Sequence, residues 1–199
     1  MTKHQRKYNK IMEKFEIERK FLIKSLPDTG NMKREVIRQI YADYRVDSGT
    51  LLLTKSGTRI EEFRPPHPSG VVRIRLIDFK RAEANIKIPH GNYQREIESE
   101  IMLTDEIKDM VLNDNRAVEK ERFSLDMKNH SVFCDRFTGR HDGIIIQEIE
   151  FFALDDAQKF LPDYGVIEIF PEHKLSNRDM YFSSKEDVFK RIKELQRQD

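Results

Sequence analysis

Acidic and basic residues recur in this chain as like-signed pairs two positions apart: Glu16 with Glu18, Arg73 with Arg75, Glu96 with Glu98, Lys120 with Arg122, and Glu148 with Glu150. Lys20, Lys87 and Asp135 continue the same phase in their own runs. Successive side chains of a strand point to opposite faces, so residues two apart share a face. The alternate positions are apolar: Ile17, Ile74, Ile86, Ile97 and Ile149. One E-x-E or R-x-R taken alone is ordinarily a solvated face with cross-strand ion pairs. Sign-segregated pairs on many strands point instead to charged faces gathered into one interior.

Such an interior requires compensating charge, because an unpaired buried ion costs several kcal/mol. Carboxylates without thiolates favour hard, oxygen-seeking cations such as Mg2+ or Mn2+ over zinc. Rows of Lys and Arg favour a polyanion with several phosphate-type oxygens, which arginine grips through its planar fork. A divalent cation bridging carboxylates and a phosphate chain satisfies both sets. The chemistry suited to that arrangement is phosphoryl transfer, with metal and cations neutralising the oxygens while a carboxylate or lysine orients water. Spacing alone leaves this reading and a barrel merely decorated with ion pairs both open.

The elements that must carry these residues are mostly strands. Period-two alternation predicts strands over residues 14 to 24, 34 to 44 and 51 to 54, with D-S-G at 47 to 49 as a hairpin turn. Residues 56 to 70 hold three prolines and two glycines and read as a long loop. Strands resume over 71 to 77, 84 to 88 and 93 to 101. Residues 104 to 115 switch to helical spacing, with Thr104 or Asp105 as N-cap. Further strands follow over 117 to 125, 131 to 137, 144 to 152 and 165 to 170. A short helix over 154 to 161, capped by an aspartate and stopped by Pro162, and an amphipathic helix over 183 to 195 complete the pattern. About eight hairpin-linked strands with a few covering helices predict an α+β fold whose antiparallel sheet closes into a barrel.

Composition bounds the function. In 199 residues, 36 Lys+Arg nearly cancel 35 Asp+Glu, for a formal net charge of +1. A protein that coats nucleic acid needs a net basic surface, so no double-stranded nucleic-acid partner is expected. The single Cys134 excludes an internal disulfide framework and suggests a reducing compartment. No run approaches the ~18 apolar residues of a membrane span, and a cytoplasmic protein is expected. Residues 1 to 11 are polar and basic and read as a mobile arm, with one domain over 12 to 199.

E-I-E-R-K at 16 to 20 resembles the E-x-E-x-K signature that opens the CYTH domain of the triphosphate tunnel metalloenzymes. The resemblance continues in order through Q-I-Y at 39 to 41, R-I-R at 73 to 75, I-K at 86 to 87, E-I-E at 96 to 98, K-E-R at 120 to 122, Asp135, E-I-E at 148 to 150 and E-H-K-L-S-N at 172 to 177. It implies an eight-stranded tunnel that binds a triphosphate with Mg2+ or Mn2+. By position it implies triphosphate-binding roles for Lys20, Arg73, Arg75, Lys87, Lys120 and Arg122. Metal ligation falls to Glu16, Glu18, Glu148 and Glu150, assisted by Glu96 or Glu98. Lys174 would stand near the attacking water and Glu18 would share in catalysis, with Asp135 orienting an arginine. Gln94 stands where the family often has arginine, and the C-terminal strand, E-I-F-P-E-H-K-L, departs from the family's usual wording. The implied activity is metal-dependent hydrolysis of inorganic tripolyphosphate or of a small organic triphosphate, such as a nucleoside or thiamine triphosphate, by a monomer or homodimer. Cyclisation of ATP, as in class IV adenylyl cyclases, and a non-catalytic triphosphate sensor are the alternatives.

Overall fold

The computed structural model describes residues 12 to 90, 93 to 163 and 165 to 197, with the side chains of residues 12 to 16, 89, 90 and 93 to 95 outside the description. The arm expected over residues 1 to 11 therefore lies outside the described residues. In chain order the elements are β1 (Met12–Glu16), β2 (Glu18–Leu22), β3 (Lys33–Asp47), β4 (Thr50–Leu53), β5 (Arg59–Ile60), β6 (Ser69–Ile77), β7 (Arg81–His90), β8 (Tyr93–Ile101), α1 (Asp105–Leu112), β9 (Val118–Asp126), β10 (His130–Thr138), β11 (Ile145–Phe151), α2 (Leu154–Lys159), β12 (Ile167–Ile169), α3 (Asn177–Phe182) and α4 (Lys185–Leu195). The chain divides into two compact units: residues up to Glu16 with Ile37–Ala117, and Ile17–Val36 with Val118–Asp199.

The first unit carries the antiparallel ladder β1-β8-β7-β6-β3, with β4 and β5 added beyond β3. Asp47 and Thr50 pair across a two-residue turn in which Ser48 and Gly49 both have positive φ, 52° and 77°. That is the backbone a tight right-twisted hairpin needs, and the small Ser-Gly pair tolerates it. One face of the ladder buries Ile40, Val72, Ile74, Leu76, Ala84, Ile86 and Ile97. Helix α1, which lies against β6, buries Ile107 and Val111. The Thr104 hydroxyl caps its start, accepting from the Ile107 N–H at 3.2 Å. At its far end the Arg38 guanidinium donates to the carbonyls of Val111, Leu112 and Asp114 at 3.0, 3.0 and 3.1 Å, satisfying groups a helix end leaves open.

The second unit carries β9-β10-β11-β2-β12. Phe21, Ile149, Phe151 and Ala157 form an apolar cluster on one side of it, against which Ile17, Ile23, Phe160 and Val166 pack. Arg19 ties the neighbouring segments to this face. It donates to both oxygens of Glu168 at 2.7 Å and to the Phe160 carbonyl at 2.8 Å, which fixes β12 and the end of α2 to β2. Helix α4 buries Val188, Ile192 and Leu195, and α3 buries Met180 and Tyr181.

Several expectations are corrected. The first charged strand is not continuous: at Ile17 the chain leaves β8, partner of β1, and takes up β11 and β12 beside β2. The Ile17 side chain packs onto the apolar cluster of the second unit, and its carbonyl accepts from the Phe151 N–H at 2.8 Å. Twelve strands are present among the described residues rather than eight, and their ladder does not close into a barrel, since it ends at β1 and at β12. β12 is confined to three residues, with Pro171, which has no N–H to give a ladder, following shortly after. Residues 56 to 70 are not loop throughout, because Arg59 and Ile60 pair with β4 and β6 begins at Ser69. The N-cap of α2 is Ala153, which supplies no side-chain bond, while Asp155 and Asp156 sit in the first turn. Helix α3 precedes the helix expected over 183 to 195 as a separate element. No described helix is long and apolar enough to cross a membrane.

Among the described residues, His141 is a buried imidazole with an acid consequence. His141, in a 3-10 turn at Gly139–His141, is fully buried and meets the Phe137 ring edge-on at 6.3 Å. Burial and the adjacent Arg140 push its pKa down from 6.5 to about 4. The folded state therefore holds His141 neutral while the unfolded chain protonates it, and stability contributed by the neutral ring is lost as pH falls from about 6.5 towards 4. In His141→Leu the unfolding midpoint, followed by urea titration at successive pH values, should be flatter across that window than in the parent.

Candidate functional site

In the second unit, one face of four strands gathers charge. The register sets Lys20 opposite Glu148 and Glu18 opposite Glu150 between β2 and β11, and Asp135 opposite Arg122 between β10 and β9. Lys120 lies two positions before Arg122, on the same face. The side chains form a connected network. Glu148 accepts from Lys20 Nζ at 2.7 Å through Oε1 and from Arg122 Nη2 at 2.6 Å through Oε2. Asp135 accepts from Arg122 Nε and Nη2, both at 2.7 Å, and from Lys120 Nζ. Lys20 also reaches Glu18 at 3.3 Å.

Burial and pairing pull these groups in opposite directions, and pairing prevails. Burial pushes the Glu148 carboxyl up, but Lys20, Arg122 and Lys120 together hold it well below the usual carboxylate range. Burial likewise opposes the ionised Asp135, which Arg122 and Lys120 keep below its ordinary value. The Lys20 ammonium is disfavoured by burial and yet raised, because Glu148 and Glu18 face it.

Glu18 and Glu150 are differently placed. The Phe151 N–H bond to the Ile17 carbonyl, and that of Ile23 to Ile145, make odd-numbered β2 residues the hydrogen-bonded pairs. Glu18 and Glu150 are then a non-hydrogen-bonded pair, with Cβ atoms ~4.5–5.5 Å apart. Like charges directly opposed repel, and the face as a whole carries Glu18, Asp135, Glu148 and Glu150 against Lys20, Lys120 and Arg122. The excess carboxylate and the opposed pair fit a cation. Among the described residues no three acidic, histidine or cysteine side chains converge to hold a metal unaided. A pair suffices for Mg2+, which commonly takes one or two carboxylates and completes its shell with water and substrate phosphate.

The first unit has a charged face of its own. Arg73, buried, donates to Glu96 at 3.0 Å and to Glu98 at 3.5 Å, and Asn85 donates to Glu96. Arg75 donates to Glu83 at 3.4 Å, and Arg81 meets the same carboxylate. Burial, reinforced by Glu83 and Glu96, raises the Glu98 carboxyl against the pull of Arg75 and Arg73. Lys87 is exposed and stands opposite Glu96 in the register.

The residues singled out by sequence thus fall into two groups, Lys20, Lys120, Arg122, Asp135, Glu148, Glu18 and Glu150 in one unit, and Arg73, Arg75, Lys87, Glu96 and Glu98 in the other. The Glu16 side chain lies outside the described residues. Lys174 is exposed at a left-handed backbone position, φ 51°, just after a 3-10 turn over Pro171–His173. Its carbonyl accepts from Arg191 at 3.1 Å, and its side chain joins none of the described contacts of the network. Sequence reading missed Glu83 and Asn85, although both share the phase of Lys87 on β7 and the same spacing rule reaches them. Asn177, which closes the E-H-K-L-S-N stretch of the resemblance and was given no role there, lies 3.5 Å from Lys120.

No protein-family model matches the chain. Over 148 residues it is 30% identical to the inorganic triphosphatase of Nitrosomonas europaea, a match covering 74% of this chain and 83% of that protein. A crystal structure of an inorganic triphosphatase matches at TM-score 0.52 and 22% identity, covering 84% of this chain and 97% of its own. A crystal structure of a hypothetical protein matches at TM-score 0.54 and 24% identity, covering 85% and 99%. These structural likenesses are of fold alone.

The network makes unequal demands on its members. Asp135→Leu strips a carboxylate from two buried cations and should cost ~3–5 kcal/mol of stability in urea unfolding. Lys120→Met leaves Asp135 its two bonds from Arg122 and should cost less than half as much. Because Asp135 and Glu148 are held below their ordinary values, their contribution is full above the unfolded carboxylate range and is lost as pH falls below it towards their lower folded values, so a second acid loss should follow that of His141.

Proposed function

The chain belongs to the inorganic triphosphatase family, and on that premise we propose that it hydrolyses a triphosphate, with inorganic tripolyphosphate or a small organic triphosphate as substrate, using the charged face of β2, β9, β10 and β11. The observation that carries the reading is the convergence of Lys20 and Arg122 on Glu148 from two strands. Both cations keep some exposure, 19% and 11% of their side chains, and both already point their donors at carboxylate oxygens, which phosphate oxygens resemble in charge and geometry. A polyphosphate entering here shares pre-oriented donors rather than ordering flexible ones, which lowers the cost of binding.

An anion approaching a face with excess carboxylate needs a cation to accompany it. Glu18 and Glu150 are the residues assigned to hold Mg2+ or Mn2+, and the ion when bound would neutralise phosphate oxygens and lower the pKa of a bound water. Glu148 is assigned instead to orienting Lys20 and Arg122, since both its oxygens are engaged by them. On the other unit the reading is confined to chemistry: Arg73 and Arg75 are the donors a phosphate chain would engage. Lys174 is assigned to the water side of the reaction, a role its exposed position leaves it able to take.

Phosphate release from tripolyphosphate, measured with and without Mg2+ or Mn2+, tests the proposal. The parent should require the metal, and Glu18→Ala should lose ~10²-fold or more in kcat, the scale on which removing one element of charge stabilisation acts. Absence of release from tripolyphosphate, ATP, GTP and thiamine triphosphate alike would sink the hydrolase reading. Cyclic AMP from ATP, in place of phosphate, would make the chain a cyclase, and calorimetric binding without turnover a sensor.

A further inference from the structure

Two aromatic rings on the charged face of the second unit flank its buried carboxylate. Phe133 and Phe137 stand two positions either side of Asp135 on β10, so all three share a face. The cations of β9 sit against these rings: Lys120 Nζ lies 5.6 Å from the centroid of Phe137, and Arg122 Cζ lies over Phe133 at 4.8 Å. Both distances fall inside the ~6 Å over which a ring face attracts a cation. Phe137 is sealed, at 1% exposure. Phe133 is half-buried and stands between Ser124 of β9 and Glu148 of β11, an apolar side chain in the middle of the charged row.

The hydrogen bonds of Arg122 engage one edge of its guanidinium. Nε and Nη2 donate to Asp135, and Nη2 donates also to Glu148, while Nη1 donates in none of the described contacts. Bonds confined to one edge let a planar group pivot about that edge, and the swing is widest at the far corner, which is Nη1. A ring packed against Cζ opposes the pivot. It does so without using up a donor, because the negative face of the ring attracts the cation through its quadrupole rather than by accepting an N–H.

We propose that Phe133 is a positioning residue: its ring holds the plane of the Arg122 guanidinium so that Nη1 is presented to the phosphate chain, and the ring itself does not touch the substrate. This rests on the triphosphatase reading above, and it adds an uncharged residue to a site otherwise built of ions. Asp135 and Glu148 fix the edge of the guanidinium, and Phe133 fixes its tilt.

The test uses the full chain altered at residue 133 in two ways. In one series mono-, di- and trifluorophenylalanine are placed at that residue alone, which drains negative charge from the ring face while nearly preserving its shape. In the other, Phe133→Leu removes the ring and Phe133→Tyr keeps one. Two measurements are made: tripolyphosphate hydrolysis with Mg2+, and hydrogen exchange of the Arg122 Nε–H by 15N NMR. In Phe133→Leu, kcat should fall ~3- to 30-fold, the scale of one cation–π contact, while KM stays within about threefold, the pattern of an interaction expressed in the transition state. Phe133→Tyr should lose less than Phe133→Leu. Each added fluorine should lower kcat further and quicken the Arg122 exchange as the guanidinium loosens. A ring that only fills space would give one kcat across the fluorinated series, and that result overturns the positioning role. A KM raised about tenfold or more with kcat unchanged overturns it too, by making the ring a substrate contact. Should Phe133→Leu fail to fold, the fluorinated series decides alone. If the parent turns over no triphosphate, the functional reading fails, and the exchange measurement still decides whether the ring holds Arg122: quickening with fluorination supports it, and constancy overturns it.

Discussion

Asp135 is a carboxylate with almost no access to water, and its ionised state rests on Lys120 and Arg122. Removed from that pairing, a carboxylate in a protein interior costs several kcal/mol or gives up its charge. The rest of the second unit follows from meeting that cost. Arg122, facing Asp135, also reaches Glu148, and Glu148 in turn holds Lys20. Four strands are thereby stitched on one face by charge: Arg122 of β9 reaches Asp135 of β10 and Glu148 of β11, and Glu148 meets Lys20 of β2. On the opposite face Phe21, Ile149 and Phe151 are buried against α2 and its flanks. The apolar side is thus covered, while on the charged side Lys20 and Arg122 keep 19% and 11% of their side chains exposed.

An ion network of this kind contributes little net stability, since attraction in the interior mostly offsets desolvation. What it supplies is orientation. Each donor is aimed before any ligand arrives, and the guanidinium of Arg122 is held bidentately by Asp135. Pre-aimed donors act on a developing charge without reorganising, the property from which most electrostatic catalysis derives. Glu18 and Glu150 are the exception that gives the face its polarity. Opposed across a close pair, they set like charge against like, with Lys20 reaching Glu18 at 3.3 Å.

Arginine serves structure elsewhere by the same means. Arg19 ties Glu168 and the carbonyl of Phe160 to β2, and Arg38 closes the end of α1 through three carbonyls. Both lie on the faces opposite the charged rows, in phase with the apolar residues. Phase therefore separates the arginines that hold the fold from those that form the candidate site: odd-numbered Arg19 against Lys20, and Arg38 against Gln39.

Pairing at i and i+2 made the strands and their charged face legible from sequence, because a strand's side-chain period is two whatever surrounds it. It therefore located Lys20, Arg73, Arg75, Lys120, Arg122, Asp135 and Glu148, and the same rule extended to β7 reaches Glu83 and Asn85. Hairpin chemistry at Ser48 and Gly49 and the cap at Thr104 were equally local and equally readable. Periodicity carries no information on which strand pairs with which. The change of partner at Ile17 was decided by tertiary packing of one isoleucine onto Phe21, Ile149, Phe151 and Ala157, and with it the separation of Glu16 from Glu18 and Lys20. Nor does spacing distinguish a cation that borders solvent from one sealed away. Lys20 and Lys120 read alike in the sequence, and only the placement of Asp135, Phe137 and Asn177 around Lys120 makes it inaccessible. Sequence determined which side chains share a face; long-range contacts decided which of them that face exposes, because burial depends on neighbours distant in the chain.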